Sequence, residues 1–381
     1  MLLRRQVAAK TREIRRRNEE ILIVNRTLRA MLAADAHQLG AEHGARVFLV
    51  LLGGALVLAA GRSQRMGGPN KLLLPVAGKP IIRFIIDKLV EVGLNDFVFV
   101  IGYLGDKVRD YIEHTYPNLQ TEFVYQEHRE GSAHAIWSAR EAIEDEEEIF
   151  IAFGDTIFDV DMKQMLDCEH SCIGVKKVTD PREFGVAEID EQGFATRMVE
   201  KPRIPKSNMA IVGLYKVKGV PALLKVIDQM IRTDQRTVGE FQLTDALQQL
   251  LEQGMRIQTL PVINWFDCGR KEVLLETNAM LLSRRGYATD DFYLPAFDNT
   301  IFIHPVAVGA NCKISNSIIG PNVTVGDNVT IDYSIVKDSI IGNFAALEDA
   351  VLKRSVIGSD ASIRGMNLSL NIGDNTEIDF D

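Results

Sequence analysis

The chain has 381 residues, of which 46% are hydrophobic and 25% charged, a balance that excludes an intrinsically disordered protein and leaves room for roughly two or three domains with real cores. Its net charge of −9 argues against non-specific nucleic-acid binding; residues 1–30 hold nine Arg or Lys against three Glu, so they carry +6 and the remainder −9 − 6 = −15. Four scattered cysteines, Cys168, Cys172, Cys268 and Cys312, exclude a disulfide framework and point to a reducing cytoplasm.

Residues 1–50 are expected to form a basic helical extension. Val7, Ile14, Ile21 and Leu28 recur every seven residues along 3–36, but Lys10 and Arg17 interrupt the companion positions, which leaves the seam incomplete for a coiled coil. Nothing there has the form of a cleavable signal. Val47–Ala60 offers only about fourteen mostly apolar residues, short of the roughly twenty that span a bilayer. Membrane contact is therefore expected, if at all, only peripherally through the basic helix.

Ala55–Ala60 (ALVLAA) reads as a short buried parallel strand, and the glycine-, serine- and arginine-rich stretch after it as a loop that brings backbone N–H groups to an anion. Neither the G-x-G-x-x-G fingerprint nor the P-loop pattern is present at the strand exit. Strand and helix then alternate: helix at Ile81–Val92, strand at Asp96–Ile101, helix at Lys107–His114, strand at Glu122–Tyr125, helix at Ala133–Ile143, strand at Glu148–Phe153. That order predicts a mostly parallel sheet covered by helices. Cys168-x-x-x-Cys172 flanks His170, yet no second ligand pair accompanies it, so buried thiols are expected rather than zinc.

Several short motifs lie along this scaffold. The first strand runs into A-A-G-R-S-Q-R-M and then P-N-K-L-L-L-P-V-A-G-K-P; Q-E-H-R-E-G-S-A-H-A follows at Gln126; I-F-I-A-F-G-D ends at Asp155; then come E-F-G-V, V-E-K-P, A-I-V-G-L-Y, G-E-F-Q-L-T-D and W-F-D-C-G. Each alone has a bland reading: a surface turn before a helix, a capping Asp, an exposed E-K-P turn. In this order and spacing, over Ala55–Leu282, they resemble the sugar-1-phosphate nucleotidylyltransferase family, nearest to long-form glucose-1-phosphate thymidylyl- or uridylyltransferases with a β-helix tail.

The resemblance implies a Rossmann-like α/β nucleotidyltransferase domain over 54–290. It implies that Ala60, Gly61 and Ser63 cradle the nucleotide phosphates, with Ser63 where the family often has its second glycine, and that Arg65 and Lys71 are catalytic cations. Gln126 and Gly131 would meet the base. Gly185, Glu200, Lys201, Gly213 and Glu240 would hold the sugar phosphate, with Lys201 also orienting the nucleophile. Asp155 and Asp267 would hold Mg²⁺, a reading that also fits the physical demand of a carboxylate at the end of an apolar strand for a cation. The implied reaction joins an NTP, dTTP or UTP by preference, to a sugar 1-phosphate, glucose 1-phosphate by preference. The segment between Arg65 and Lys71 is shorter than in thymidylyl-transferring members and is similar to the loops of cytidylyl transferases, so a cytidylyltransferase for another phosphate monoester stays open. A non-catalytic regulatory subunit of the same plan is a second alternative, disfavoured because every expected charge is present.

From Val308 the character changes. Apolar residues stand at 308, 314, 319, 325, 331, 336, 341, 347, 352, 357 and 363, in steps of five or six, with I-G or V-G pairs among them. This hexapeptide repeat predicts a left-handed parallel β-helix of about four coils over 298–366, followed by an acidic tail at 367–381. Its only histidine is His304, at the start, so a module for homo-oligomeric assembly or regulation is expected rather than an acyltransferase.

Overall fold

The computed structural model describes residues 54–60, 71–102, 104–284 and 297–365. The expected N-terminal helix, the acidic tail, and Gly61, Ser63 and Arg65 of the phosphate loop lie outside the described residues.

Strand β1 (Ala55–Ala59) is hydrogen-bonded on both sides, and its neighbours are themselves apolar, which is why a run of five small and branched residues suffices for it. A 3₁₀ turn at Lys71–Leu73 leads into the tight hairpin β2 (Pro75–Val76) and β3 (Lys79–Pro80). The alternation then runs α1 (Ile81–Glu91), β4 (Asp96–Ile101), α2 (Gly105–Thr115), β5 (Gln120–Tyr125), α3 (Ser132–Ser138), α4 (Arg140–Ile143) and β6 (Glu148–Phe153). The helix expected over Ala133–Ile143 is thus two. The break falls at Ala139, where Arg140 folds back to lie 4.0 Å over the Trp137 ring and donates from Nη1 to the Trp137 carbonyl at 3.1 Å.

The chain continues through β7 (Thr156–Asp159), α5 (Met162–Leu166), β8 (Ser171–Lys177), β9 (Gly185–Ile189), β10 (Ala195–Glu200) and β11 (Met209–Lys218). Next come α6 (Val220–Arg232), α7 (Leu243–Glu252), β12 (Ile257–Pro261), β13 (Asn264–Asp267) and α8 (Lys271–Ser283). The main sheet has the order β10-β9-β11-β6-β1-β4-β5, with β8 on the other edge of β11 and β12 beyond it. From β6 to β5 it is parallel, whereas β11 runs antiparallel to β6. Strand β11 is long enough to pair β6 with one half and β9 with the other, which joins the parallel sheet to the β9–β10 hairpin.

Cys168 and Cys172 are buried, and burial pushes the Cys172 thiol up, as expected of inert core cysteines. Asp161 caps α5, accepting from the backbone N–H groups of Lys163 and Gln164. Asp159 accepts from Asn264 Nδ2 and Arg284 Nη1, each at 2.9 Å, and so clamps β7 to β13 and the end of α8.

Residues 301–364 form three four-stranded parallel sheets of two- and three-residue strands, the faces of a left-handed β-helix. One face holds β14 (Ile301–Phe302), β17 (Ile318–Ile319), β20 (Ile335–Lys337) and β23 (Val351–Lys353). The second holds β15 (Val306–Val308), β18 (Val323–Val325), β21 (Ile340–Ile341) and β24 (Val356–Ile357). The third holds β16 (Lys313–Ser315), β19 (Thr330–Asp332), β22 (Ala346–Glu348) and β25 (Ser362–Arg364). All the apolar positions of the repeat, from Val308 to Ile363, meet in one core. Inward serines tie coil to coil: Ser317 Oγ accepts from the Ser334 N–H at 3.0 Å, and Ser334 Oγ from that of Ala350 at 3.1 Å.

Candidate active site

Above the carboxyl ends of β1 and β6 lies a cavity of about 750 Å³, walled by Ala60, Lys71, Gln126, Gly131, Phe153 and Asp155 among others. Its position follows from the topology: in a parallel sheet the strand ends open where the connections diverge. Ala60, buried, directly follows β1 there and precedes the loop that lies outside the described residues.

Asp155 sits in the turn between β6 and β7, set by the Gly154 N–H donating to the Leu58 carbonyl at 3.0 Å. Lys71 reaches it from the 3₁₀ turn, and the two side chains form an ion pair and hydrogen bond. Asp267 enters on β13, directly opposite Thr156 in the β7–β13 ladder, and the Cys268 N–H donates to the Asp155 carbonyl at 3.2 Å. A lysine and two carboxylates far apart in sequence therefore share one end of the sheet. Burial acts to lower the Lys71 pKa, but the charge of and hydrogen bond to Asp155, with the charge of Asp267, outweigh it and hold the ammonium above the ordinary lysine range. Burial, then the like charge of Asp155, raises the Asp267 carboxyl above its usual range, although Lys71 and the Gly269 N–H favour ionisation. Two carboxylates short of compensating charge are a suitable protein share of a Mg²⁺ site, since that ion takes one or two carboxylates and fills its shell with water and substrate phosphate oxygens.

A second cluster lies along the β9–β10 hairpin. Gly185 faces Glu200 across the ladder, and a Cβ on Gly185 would meet Thr244 Oγ1 at 2.7 Å and Glu200 Oε2 at 3.0 Å, so only glycine leaves this cradle open. Thr244, on α7, donates to Glu200 Oε2 at 2.7 Å. Burial raises the Glu200 carboxyl, while the Thr244 hydroxyl and Lys201 pull it down. Lys201 is half-buried, with Nζ 3.8 Å from Glu200 Oε1 and its backbone N–H donating to the Phe184 carbonyl at 3.0 Å. Glu240 lines the cavity, its Cβ packs on Gly131, its Oε2 accepts from Gln242 Nε2 at 3.0 Å, and its charge adds to the upward pressure on the Glu200 carboxyl.

Gly131, with φ +109°, leans on the backbone of Phe241, where any Cβ would come within 2.3 Å of the carbonyl oxygen. The Ala133 N–H donates to that oxygen at 2.9 Å, and the Phe241 N–H to the Glu130 carbonyl at 2.7 Å, so the two loops close as one wall. Ser132 Oγ accepts from the Leu243 N–H at 2.9 Å and so fixes the start of α7 to that wall. Gly213 is placed differently from the rest. With φ +77° at the irregularity of β11, it lies 2.9 Å (as a notional Cβ) behind the ring of Phe153, and it is Phe153 that faces the cavity.

Three further residues, Phe153, Thr244 and His134, belong to the site without being expected from the motifs. All three stand inside motifs given above, Thr244 in G-E-F-Q-L-T-D, Phe153 in I-F-I-A-F-G-D and His134 in Q-E-H-R-E-G-S-A-H-A. Phe153 and His134 depend on contacts that no local pattern encodes.

A cavity of this size at the carboxyl end of a parallel sheet, lined by a buried lysine, a carboxylate and a side-chain amide, is of the kind that nucleotide-handling α/β proteins present. The profile of the Nucleotidyl transferase family matches residues 55–284, and the chain belongs to that family of enzymes. It is 27% identical to the low-salt glycan biosynthesis nucleotidyltransferase Agl11 of Haloferax volcanii, over 81% of this chain and 93% of that protein. It is 29% identical to a glucose-1-phosphate thymidylyltransferase of Streptomyces antibioticus, over 79% of this chain and 92% of that one. Among solved structures, UDP-glucose pyrophosphorylase in complex with UDP-glucose superposes with a TM-score of 0.53 at 21% identity, covering 60% of this chain and 98% of that one, which bears on the fold alone.

Proposed function

We propose that the chain transfers a nucleotidyl group from dTTP or UTP to a sugar 1-phosphate, glucose 1-phosphate by preference, releasing pyrophosphate. The observation that carries the reading is the adjacency of the Lys71–Asp155–Asp267 charge cluster to the cavity, with Glu240 lining the same cavity and its charge felt by Glu200 of the Gly185–Glu200–Thr244 cradle. Relatives named for glucose 1-phosphate and for glycan biosynthesis support it.

A phosphate oxygen of the sugar 1-phosphate attacks the α-phosphorus in line, and the bond from that phosphorus to the bridging oxygen of pyrophosphate breaks. The nucleophile is already ionised, so no general base is needed; catalysis consists of positioning and charge compensation. Lys71, aimed by Asp155, sets its positive charge at the cavity against the phosphate oxygens, and Arg65 adds a second cation from the loop. Lys201 orients the sugar phosphate, while Glu200, kept in place by Thr244, accepts from sugar hydroxyls. Asp155 and Asp267 would hold Mg²⁺, which supplies Lewis-acid stabilisation of the phosphate charge when bound. We further place the protein in the cytoplasm as a homo-oligomer assembled through its β-helix.

Pyrophosphate release, measured with Mg²⁺ over dTTP, UTP, CTP, GTP and ATP against glucose, glucosamine, N-acetylglucosamine and mannose 1-phosphates, tests the reaction. Release with dTTP or UTP and glucose 1-phosphate is expected. Turnover of CTP alone would favour the cytidylyl alternative suggested by the short Arg65–Lys71 segment, and no turnover from folded protein would favour a regulatory subunit.

A further inference from the structure

Gln126 follows β5 at the cavity wall and is buried. Its backbone N–H donates to the Ile101 carbonyl at 2.9 Å, so the sheet fixes its Cα. Its side-chain nitrogen Nε2 lies 3.3 Å from the Gly131 carbonyl oxygen and 3.1 Å from His134 Nδ1. A carbonyl oxygen can only accept, so the end of the amide that faces Gly131 is its NH₂. The second hydrogen of that NH₂ then points at His134, whose Nδ1 must be the bare, accepting nitrogen. The neutral ring carries its proton on Nε2, facing Glu130 Oε2 at 3.6 Å.

The imidazole is well held for this task. It packs 5.8 Å from the Trp137 ring and 6.4 Å from that of Phe241, and Glu130 is itself engaged by Arg236 Nη2 at 3.1 Å. Burial favours the neutral ring, as the positive charge of Arg236 and the neighbouring His128 also do, against the opposing charge of Glu130.

We propose that His134 is a positioning residue that sets base choice: with the Gly131 carbonyl, it turns both amide hydrogens of Gln126 inward and leaves only the carbonyl oxygen Oε1 to meet a base in the cavity. This rests on reading the cavity as the nucleotide site. Oε1 has no partner among the described residues. A lone acceptor pairs with a base that carries an N–H at the centre of its pairing edge, as uracil, thymine and guanine do. Cytosine N3 and adenine N1 are themselves acceptors and would set lone pair against lone pair. An unconstrained glutamine would rotate its amide by half a turn and serve either kind; His134 and Gly131 remove that freedom. The motif at this wall thus contributes a polarity and not merely a contact.

The test is equilibrium binding of UTP, GTP, CTP and ATP to the full chain by calorimetry, in wild type, His134→Phe and His134→Gln, with thermal unfolding as a control for folding. His134→Phe keeps a ring between Trp137 and Phe241 but removes the acceptor; His134→Gln offers an acceptor again. Wild type is expected to bind UTP more tightly than CTP. The phenylalanine variant is expected to lose about tenfold of that ratio, the worth of one hydrogen bond of correct polarity, and the glutamine variant to recover part of it. A ratio unchanged in folded His134→Phe would overturn the role of His134 while leaving the nucleotide site standing. Failure of the wild type to bind any nucleotide would overturn both.

Discussion

At the scale of single residues, the site is organised by charges that do not balance locally. Asp267 is the clearest case, since burial and the neighbouring Asp155 both disfavour its ionised form. A carboxyl whose pKa is raised on folding stabilises the fold fully below its unfolded value and loses that contribution as pH rises through the folded value. At neutral pH and without metal, Asp267 is therefore a destabilising residue retained for another purpose. Asp267→Asn is expected to unfold at a higher temperature than wild type at pH 7, with the difference vanishing as pH falls below about 4, where the wild-type carboxyl is protonated too. The same variant is expected to lose roughly a hundredfold in kcat/KM, and its unfolding temperature should respond less to Mg²⁺ than that of wild type. Equal Mg²⁺ responses in thermal unfolding would remove Asp267 from the metal site.

At the scale of elements, the β-helix shows how a repeat can be regular in its core and irregular at its corners. The corner occupied by Asn311 and Asn328 in successive coils holds Phe344 in the next, with φ of +56°, +58° and +61°. Asparagine tolerates the left-handed region, whereas a bulky aromatic is strained there, and Phe344 is 60% exposed, so packing returns little. Phe344→Asn is expected to stabilise the protein by about 1 kcal/mol, read as a shift in the denaturant midpoint at unchanged slope. The inward positions of the same repeat were legible from sequence because the step of five or six residues is itself the geometry of the coil. Strand β1, β4 and β6 were legible for a similar reason, each being a short apolar run between turn signals. What was not legible came from long-range contacts. Nothing local announces that Arg140 will fold over Trp137 and break a helix at Ala139, or that Asp159 will find Arg284 across 125 positions. Within the site, Gln126, Glu200 and Asp267 stood in recognisable motifs, but the partners that orient them, His134 and Thr244, are fixed only once the Gly131 turn and α7 have packed.

At the scale of the whole molecule, the α/β layer and the β-helix are not beads on a string. Leu74, Val76, Ile81 and Phe84 share one buried cluster with Ala307 and Ile340 of the β-helix. Asn278 on α8, fully buried, accepts from the Ala77 N–H at 2.9 Å and from Thr324 Oγ1 at 2.7 Å while donating to the Asn322 carbonyl at 3.1 Å. One side chain thereby joins the hairpin after Lys71, the helix after Asp267 and two residues of a coil. The second face of the β-helix turns to this interface, whereas the first carries Ile301, Ile318, Ile335 and Val351 in register across four strands, with Ile301 59%, Ile335 46% and Val351 77% exposed. In the homo-oligomer proposed above, this column is the expected meeting surface, since a two-fold axis would set it against the same face of a second copy, whose apolar rows have the same coil spacing. The double substitution Ile335→Asp, Val351→Asp is expected to halve the mass measured by light scattering, with the unfolding temperature of the separated chain little altered because both side chains project outward. A wild-type chain that is monomeric at micromolar concentration, or a double variant that keeps the assembled mass, would show that this face is not where copies meet.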